Sequence, residues 1–292
     1  MTNLKKMIAL LLALTLCVGL FAACGSKDDE AVKDQENAET NEDANAEAGD
    51  SDFAYVADKG NLVIGYTEYE PMNYVDENGE LTGFETEFAK AVCEKLGVEP
   101  EFVVINWETK EVELAGKSID CIWNGLTIDE DRKANMGLTV PYLKNAQVIV
   151  VNKDSGITST ADLVGKTVVA ESGSAGEAQL IGEGAEENLA QANYIKKTTQ
   201  ADCLVEVKAG TADAAVLDLT LANAMVGEGT DYDDLMMIPD LSLVEEYYGI
   251  AFRKGSDIVE KVNAIIAELA EDGTLPALAE KYGLVLAPEL AE

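Results

Sequence analysis

An α/β fold with sheets covered on both faces follows from two patterns in this chain. Short β-branched runs recur along it, and stretches with apolar residues at helical spacing separate them. The runs fall at residues 62–66, 102–105, 119–123, 148–151, 167–170 and 214–217. Each is close to continuously apolar, as in strands whose two faces are both buried. Between the first two runs, Phe84, Phe88, Ala91, Val92 and Leu96 recur at the spacing of one helix face, and Gly97 supplies a stop. Near the end, Ile258, Val262, Ile265 and Leu269 form a second apolar stripe, opened by Ser256 and closed by Gly273. No internal repeat is evident.

The N-terminus has a different grammar. Lys5 and Lys6 precede an apolar run over residues 7–16, which continues through Val18, Leu20 and Phe21 to Ala22 and Ala23. That layout predicts a secretory signal over residues 1–23, too short and wrongly flanked for a membrane span. Phe21-Ala22-Ala23-Cys24-Gly25 looks like a bacterial lipobox, which makes Cys24 the mature N-terminus and its sulfur the nucleophile that takes a diacylglycerol thioether. Each buried acyl methylene contributes about 0.8 kcal/mol, so several chains anchor firmly. The chain is then expected on the extracytoplasmic face of the cell membrane, held there by lipid.

Residues 27–52 carry eleven acids, two lysines and no aromatics. Such a stretch buries too little apolar area to offset its ordering entropy, so residues 24–52 are expected to form a solvated tether. Removing that stretch's nine net negative charges and the two N-terminal lysines from the total of −34 leaves −27 on the remainder. So negative a chain repels phosphates, and nucleic acid is excluded as a partner. The chain has no histidine, and Cys93, Cys121 and Cys203 are not spaced as metal ligands. They are read as small buried hydrophobes, with a Cys93–Cys121 bridge as the competing reading. Neither metal nor cofactor is expected. Val164-Gly165-Lys166-Thr167 mimics the end of a phosphate loop, but Thr160 stands where the first glycine belongs.

Several ordered motifs carry a family resemblance. Residues 83–92 (GFETEFAKAV) resemble the signature of the family 3 extracellular solute-binding proteins, the polar amino acid receptors of ABC importers. The likeness continues in residues 124–132 (NGLTIDEDR), in Pro141-Tyr142 and in residues 248–255 (YGIAFRKG), and it spans residues 60–283. It implies two α/β lobes of the type II periplasmic-binding-protein kind, joined by two crossover strands. Lobe one would comprise residues 53–143 and 246–292, lobe two residues 144–245, with crossovers near 142–146 and 244–248.

The same resemblance assigns site residues, and the chemistry of a zwitterion explains them. A carboxylate calls for a planar, permanently charged donor, which Arg132 supplies, assisted by Thr127. Its second half would come from the loop opening on Glu171, with Ser174, Ala175 and Gly176 as donors at a helix N-terminus. Asp218, at the end of an apolar run, would take the ammonium. Tyr69 and Trp107 would sandwich the ligand's side chain. Gly125 is a further ligand-binding candidate; Tyr66, Glu68, Trp123, Asn124, Glu171 and Leu217 stand where selectivity is tuned, and the segment Tyr66-Thr67-Glu68 is one residue shorter than in many relatives.

The leading expectation is therefore a monomeric lipoprotein that captures an L-amino acid, polar by preference, and presents it to the permease subunits of an ABC importer. An enzyme on the same fold, resembling cyclohexadienyl dehydratases, is the alternative, although no motif positions a second catalytic carboxylate and no histidine is available. A sensory module or a lytic relative would need further domains after Gly283, where residues 284–292 remain.

Overall fold

The computed structural model describes residues 51–182 and 184–290. The expected signal, Cys24 and most of the tether lie outside the described residues. In chain order, α1 (Asp52–Lys59) leads into β1 (Asn61–Tyr66), a hairpin of β2 (Tyr74–Val75) and β3 (Leu81–Thr82), α2 (Phe84–Leu96) and β4 (Glu99–Val104). Next come α3 (Lys110–Ala115), β5 (Cys121–Ile122), α4 (Glu130–Asn135) and β6 (Met136–Leu138). The middle of the chain forms β7 (Leu143–Asn152), β8 (Thr167–Glu171), α5 (Ala175–Ala178), β9 (Asn193–Lys197), α6 (Gln200–Lys208), β10 (Ala214–Asp218), α7 (Leu219–Met225) and β11 (Leu235–Met237). β12 (Val244–Tyr248) returns to β13 (Ala251–Arg253), α8 (Ile258–Glu271) and α9 (Thr274–Lys281).

These elements build two α/β lobes. The first sheet has the order β4-β1-β5-β13-β6, with β1 parallel to β4 and β5. The second has the order β11-β7-β10-β8-β9, with β10, β8 and β9 parallel. β12 is the sixth strand of this second sheet and pairs antiparallel with the first half of β7, over a register running from Leu143↔Tyr248 to Gln147↔Val244. The central strands are buried on both faces, which explains their unbroken apolar runs: all of Ala214–Asp218 is buried, as is nearly all of Leu143–Asn152.

Local chemistry sets the helix ends. α2 buries Phe84, Phe88, Ala89, Val92 and Cys93, so the stripe includes Ala89 and Cys93 and leaves Ala91 and Leu96 half-buried. Gly97 ends the helix at φ 75°, a left-handed C-cap. Gly83 precedes it at φ 117°, where an added Cβ would lie 2.3 Å from the Met72 carbonyl oxygen, so only glycine fits. In α8 the buried stripe is Ile258, Val262, Ile266 and Leu269; Asp257, not Ser256, precedes the first turn, and Gly273 sits at the start of α9.

Two further points differ from expectation or settle alternatives. Ser51 and Asp52 belong to the folded part, not to the tether. Ser51 caps α1 by accepting from the Ala54 amide, and Asp52 receives Arg253 Nε at 3.0–3.1 Å. The half-buried Arg253 thus ties Asp52 to the fold. Cys93, Cys121 and Cys203 are buried free thiols, which sets aside the Cys93–Cys121 bridge.

Candidate ligand-binding site

The lobes meet at a narrow cavity of about 10 Å³. The first lobe contributes Tyr69 after β1, Trp107 after β4, Asn124, Gly125 and Thr127 after β5, and Arg132 on α4. The second contributes Glu171 at the end of β8, Ser174 and Ala175 at the start of α5, Gln200 at the start of α6, and Asp218 at the end of β10.

Arg132 is held by its own helix. Asp129 caps α4 by accepting the Arg132 amide at 2.7 Å, and its other oxygen lies 3.4 Å from Arg132 Nε. Nη1 donates to the Thr127 carbonyl at 2.7 Å, and Nη2 reaches the Gly173 carbonyl of the opposite lobe at 3.3 Å. Each terminal nitrogen has a second N–H, so the fork keeps donors for a carboxylate.

Asp218 lies in a different environment. Its Oδ1 accepts from Asn145 at 3.1 Å and from Gln147; its Oδ2 accepts from Gln200 at 2.6 Å and from the Tyr69 hydroxyl at 3.0 Å. The same two amides, Asn145 and Gln147, donate to Glu246 at 2.7 and 2.9 Å, and Thr127 Oγ1 adds a third bond at 3.0 Å. Every one of these donors is neutral. Among the described residues neither Asp218 nor Glu246 forms a salt bridge, though they are only 5% and 6% exposed. Burial, then the nearby Asp218, raises the Glu246 carboxyl above the ordinary range. Burial first, then Asp218, pushes the Glu171 carboxyl up to about 8. Burial, then Arg132, lowers the Lys110 ammonium to about 8.

A support layer lies behind the first lobe's wall. Glu85, buried on α2, accepts the Gly125 amide with both oxygens at 2.9 and 3.0 Å and takes the Tyr142 hydroxyl. The motifs at 83–92, 124–132 and 141–142 therefore converge on one buried carboxylate. Gly125 at φ 57° lies against the Tyr69 ring, where an added Cβ would come within 2.5 Å of Cε1. Glycine there lets the ring lie flat over the loop.

The remaining candidates divide. Trp107 lines the cavity, and its ring carries Lys110 Nζ at 4.7 Å. Asn124 also lines it, but its side chain is committed to Thr67 and Asn73 at 2.7–2.9 Å. The Thr127 hydroxyl is committed to Glu246. The Ser174 amide donates to the Glu171 carbonyl, so its hydroxyl, which caps α5 at 3.0 Å from the Glu177 amide, is the group left to donate. Gly176 lies outside the cavity lining, packed against Gln147 and the Val216 carbonyl. α5 is one turn of four residues, so individual amides rather than a macrodipole act here. Tyr66 packs on Phe102, Trp123 and Leu217 are core, and Glu68 is exposed.

Gln200, Lys110, Glu246 and Glu85 were not singled out from sequence. Gln200 had a signal in the T-x-x-D capping box at Thr199–Asp202, which opens α6 and aims its first residue inward. Among the described residues no cluster of His, Cys, Asp and Glu could hold a metal ion.

Residues 62–285 match the model of the bacterial extracellular solute-binding proteins, family 3. The chain belongs to this family. Its relatives include the L-cystine-binding protein TcyJ of Escherichia coli (strain K12), 31% identical over 231 residues, which are 78% of this chain and 84% of that one. The arginine-binding extracellular protein ArtP of Bacillus subtilis (strain 168) is 31% identical over 239 residues, 80% of this chain and 90% of its own. A crystal structure of a mutant ArgBP from T. maritima superposes with a TM-score of 0.73 at 34% identity, covering 80% of this chain and 99% of that one. Membership of an extracellular solute-binding family also implies an extracytoplasmic place of work.

Proposed function

We propose that this family 3 protein captures an L-amino acid between its lobes and delivers it unchanged to the permease of an ABC importer. One observation carries the reading: a guanidinium from the first lobe and a buried carboxylate from the second, served by neutral donors alone, face one cavity. A carboxylate buried without a counter-ion is costly, and an ammonium from outside removes that cost. Arg132 receives the α-carboxylate with help from the Ser174 hydroxyl and the Ala175 amide; Asp218 receives the α-ammonium. Tyr69 and Trp107 flank the side chain. Because the ligand then bridges lobe one (53–143 and 246–292) and lobe two (144–245), it favours their approach along β7 and β12. The similarity to named amino-acid-binding proteins supports this role and a non-enzymatic one.

Calorimetric titration of the full chain with the common L-amino acids tests it. The cognate ligand is recovered unaltered, and Arg132→Ala costs roughly 2–5 kcal/mol of binding, the range for removing one partner of a buried charge pair. Unchanged affinity in that variant rules out the assignment.

The proposal includes a lipid anchor at Cys24, supported by the residues around it, which keeps a monomeric receptor near its permease. Labelling cells with radioactive palmitate should mark the chain, and Cys24→Ala should remove the label. Label persisting in that variant contradicts the anchor.

A further inference from the structure

One ionisable group lining the cavity has no role toward a ligand with a neutral side chain. Arg132, Asp218 and Glu171 line it. If the site holds an amino acid as proposed above, Arg132 and Asp218 are used by the α-carboxylate and α-ammonium. Glu171 is then left over. Its side chain is 4% exposed and takes no hydrogen bond from the described residues. Lys110 offsets the Glu171 charge in part, but forms no salt bridge with it among the described residues; its Nζ goes to the carbonyls of Trp107 at 3.1 Å and Gly173 at 2.9 Å, and it is not part of the lining. Asp218 and Asp202 add repulsion rather than relief.

Position reinforces the point. β8 and β10 are parallel neighbours, paired at Val168↔Ala214 and Val169↔Ala215. Their C-terminal ends therefore set Glu171 about one strand spacing, roughly 4.8 Å, from the residue preceding Asp218. Glu68, after β1, is exposed, and Glu246, the other buried acid near the cleft, lies behind the lining and is engaged by Asn145, Gln147 and Thr127. Trp107 stands on the same cavity, and its flat face suits an aliphatic stem or a delocalised cation.

We propose that Glu171 is the residue that selects the ligand's side chain, and that the ligand is an L-amino acid carrying a second positive charge, such as a guanidinium or a terminal ammonium. A cationic side chain lets Glu171 ionise beside it, whereas a neutral one leaves it as the uncharged acid and an anionic one finds no cation there.

The test is calorimetric titration of the full chain and its Glu171→Gln variant with L-arginine, L-lysine, L-ornithine, L-citrulline, L-glutamine and L-glutamate. A cationic member should bind the wild type on the order of 100-fold more tightly than citrulline, its neutral isostere. In Glu171→Gln that ratio should fall below about tenfold, with citrulline bound as well as before or better. Glu171→Asp should restore part of the preference, which separates charge from packing. Tightest binding of a neutral or anionic member overturns the proposal and leaves amino-acid capture standing. An equal loss for every ligand in Glu171→Gln also overturns it, because Glu171 then serves the shared α-ammonium. Binding of no amino acid overturns both readings.

Discussion

Glu85 shows what a single buried acid does to the site and to stability. Burial, its largest influence, raises the carboxyl from 4.5 to about 7, against the lowering effect of Tyr142 and the Gly125 amide. The folded form thus holds a proton that the unfolded chain has released between those values. Stability from this group is complete below about pH 4.5 and is lost as pH rises through 7. Glu85→Gln cannot titrate, so between pH 4.5 and 8 the balance should shift toward the variant by roughly 3 kcal/mol. Urea denaturation at both ends of that range measures it; parallel profiles for the two proteins would contradict the assignment. Arg132 and Asp218 become candidates through the family resemblance of the motifs around them; taken alone, Arg132 lies in a charged run, and only the position of Asp218 at the end of an apolar strand gives a local signal. Glu85, Lys110 and Glu246 could not be read from sequence, since their importance lies in neighbours distant along the chain: Glu246 meets Thr127 across 119 positions.

Among the elements, α6 links stability to the cavity. Thr199 accepts the Asp202 amide at 3.1 Å while Asp202 accepts the Thr199 amide at 3.2 Å, and this box fixes the first turn, from which Gln200 grips Asp218. Thr199→Ala should cost about 1 kcal/mol of stability. It should also weaken ligand binding, since Gln200 loses its fixed start; binding at wild-type strength would show that Gln200 is held by Asp218 alone. The long apolar strands and α2 were legible because burial on both faces leaves an unmistakable apolar record. β9, Asn193–Lys197, left none: it pairs on one side only, has no fully buried residue, and carries two lysines. β5 shrank from the expected five residues to Cys121–Ile122, since the chain leaves the sheet at Trp123 to build the loop that shapes the cavity wall.

For the whole molecule, the lobes already touch around the cavity. Lys196 pairs with Glu108 at 2.8 Å, Lys110 and Arg132 both reach the Gly173 carbonyl, and the Tyr69 hydroxyl meets Asp218. The exposed Lys196–Glu108 pair contributes little; the buried polar contacts set the register of closure. A ligand that bonds to both lobes shifts this equilibrium, and one that bonds to a single lobe leaves it where it is. The two-lobed architecture and its two crossover strands near 142–146 and 244–248 are implied by the ordered motifs, whereas the reach of Asn145, Gln147 and Glu246 from those strands to Asp218 and Thr127 emerges only from the fold. The most direct measurement is a crystal structure of the full chain with the amino acid that binds it most tightly. The account predicts the α-carboxylate on the Arg132 guanidinium and the α-ammonium on Asp218, within 2.7–3.2 Å of each. A ligand held by one lobe alone, or with those two groups on other residues, would contradict it.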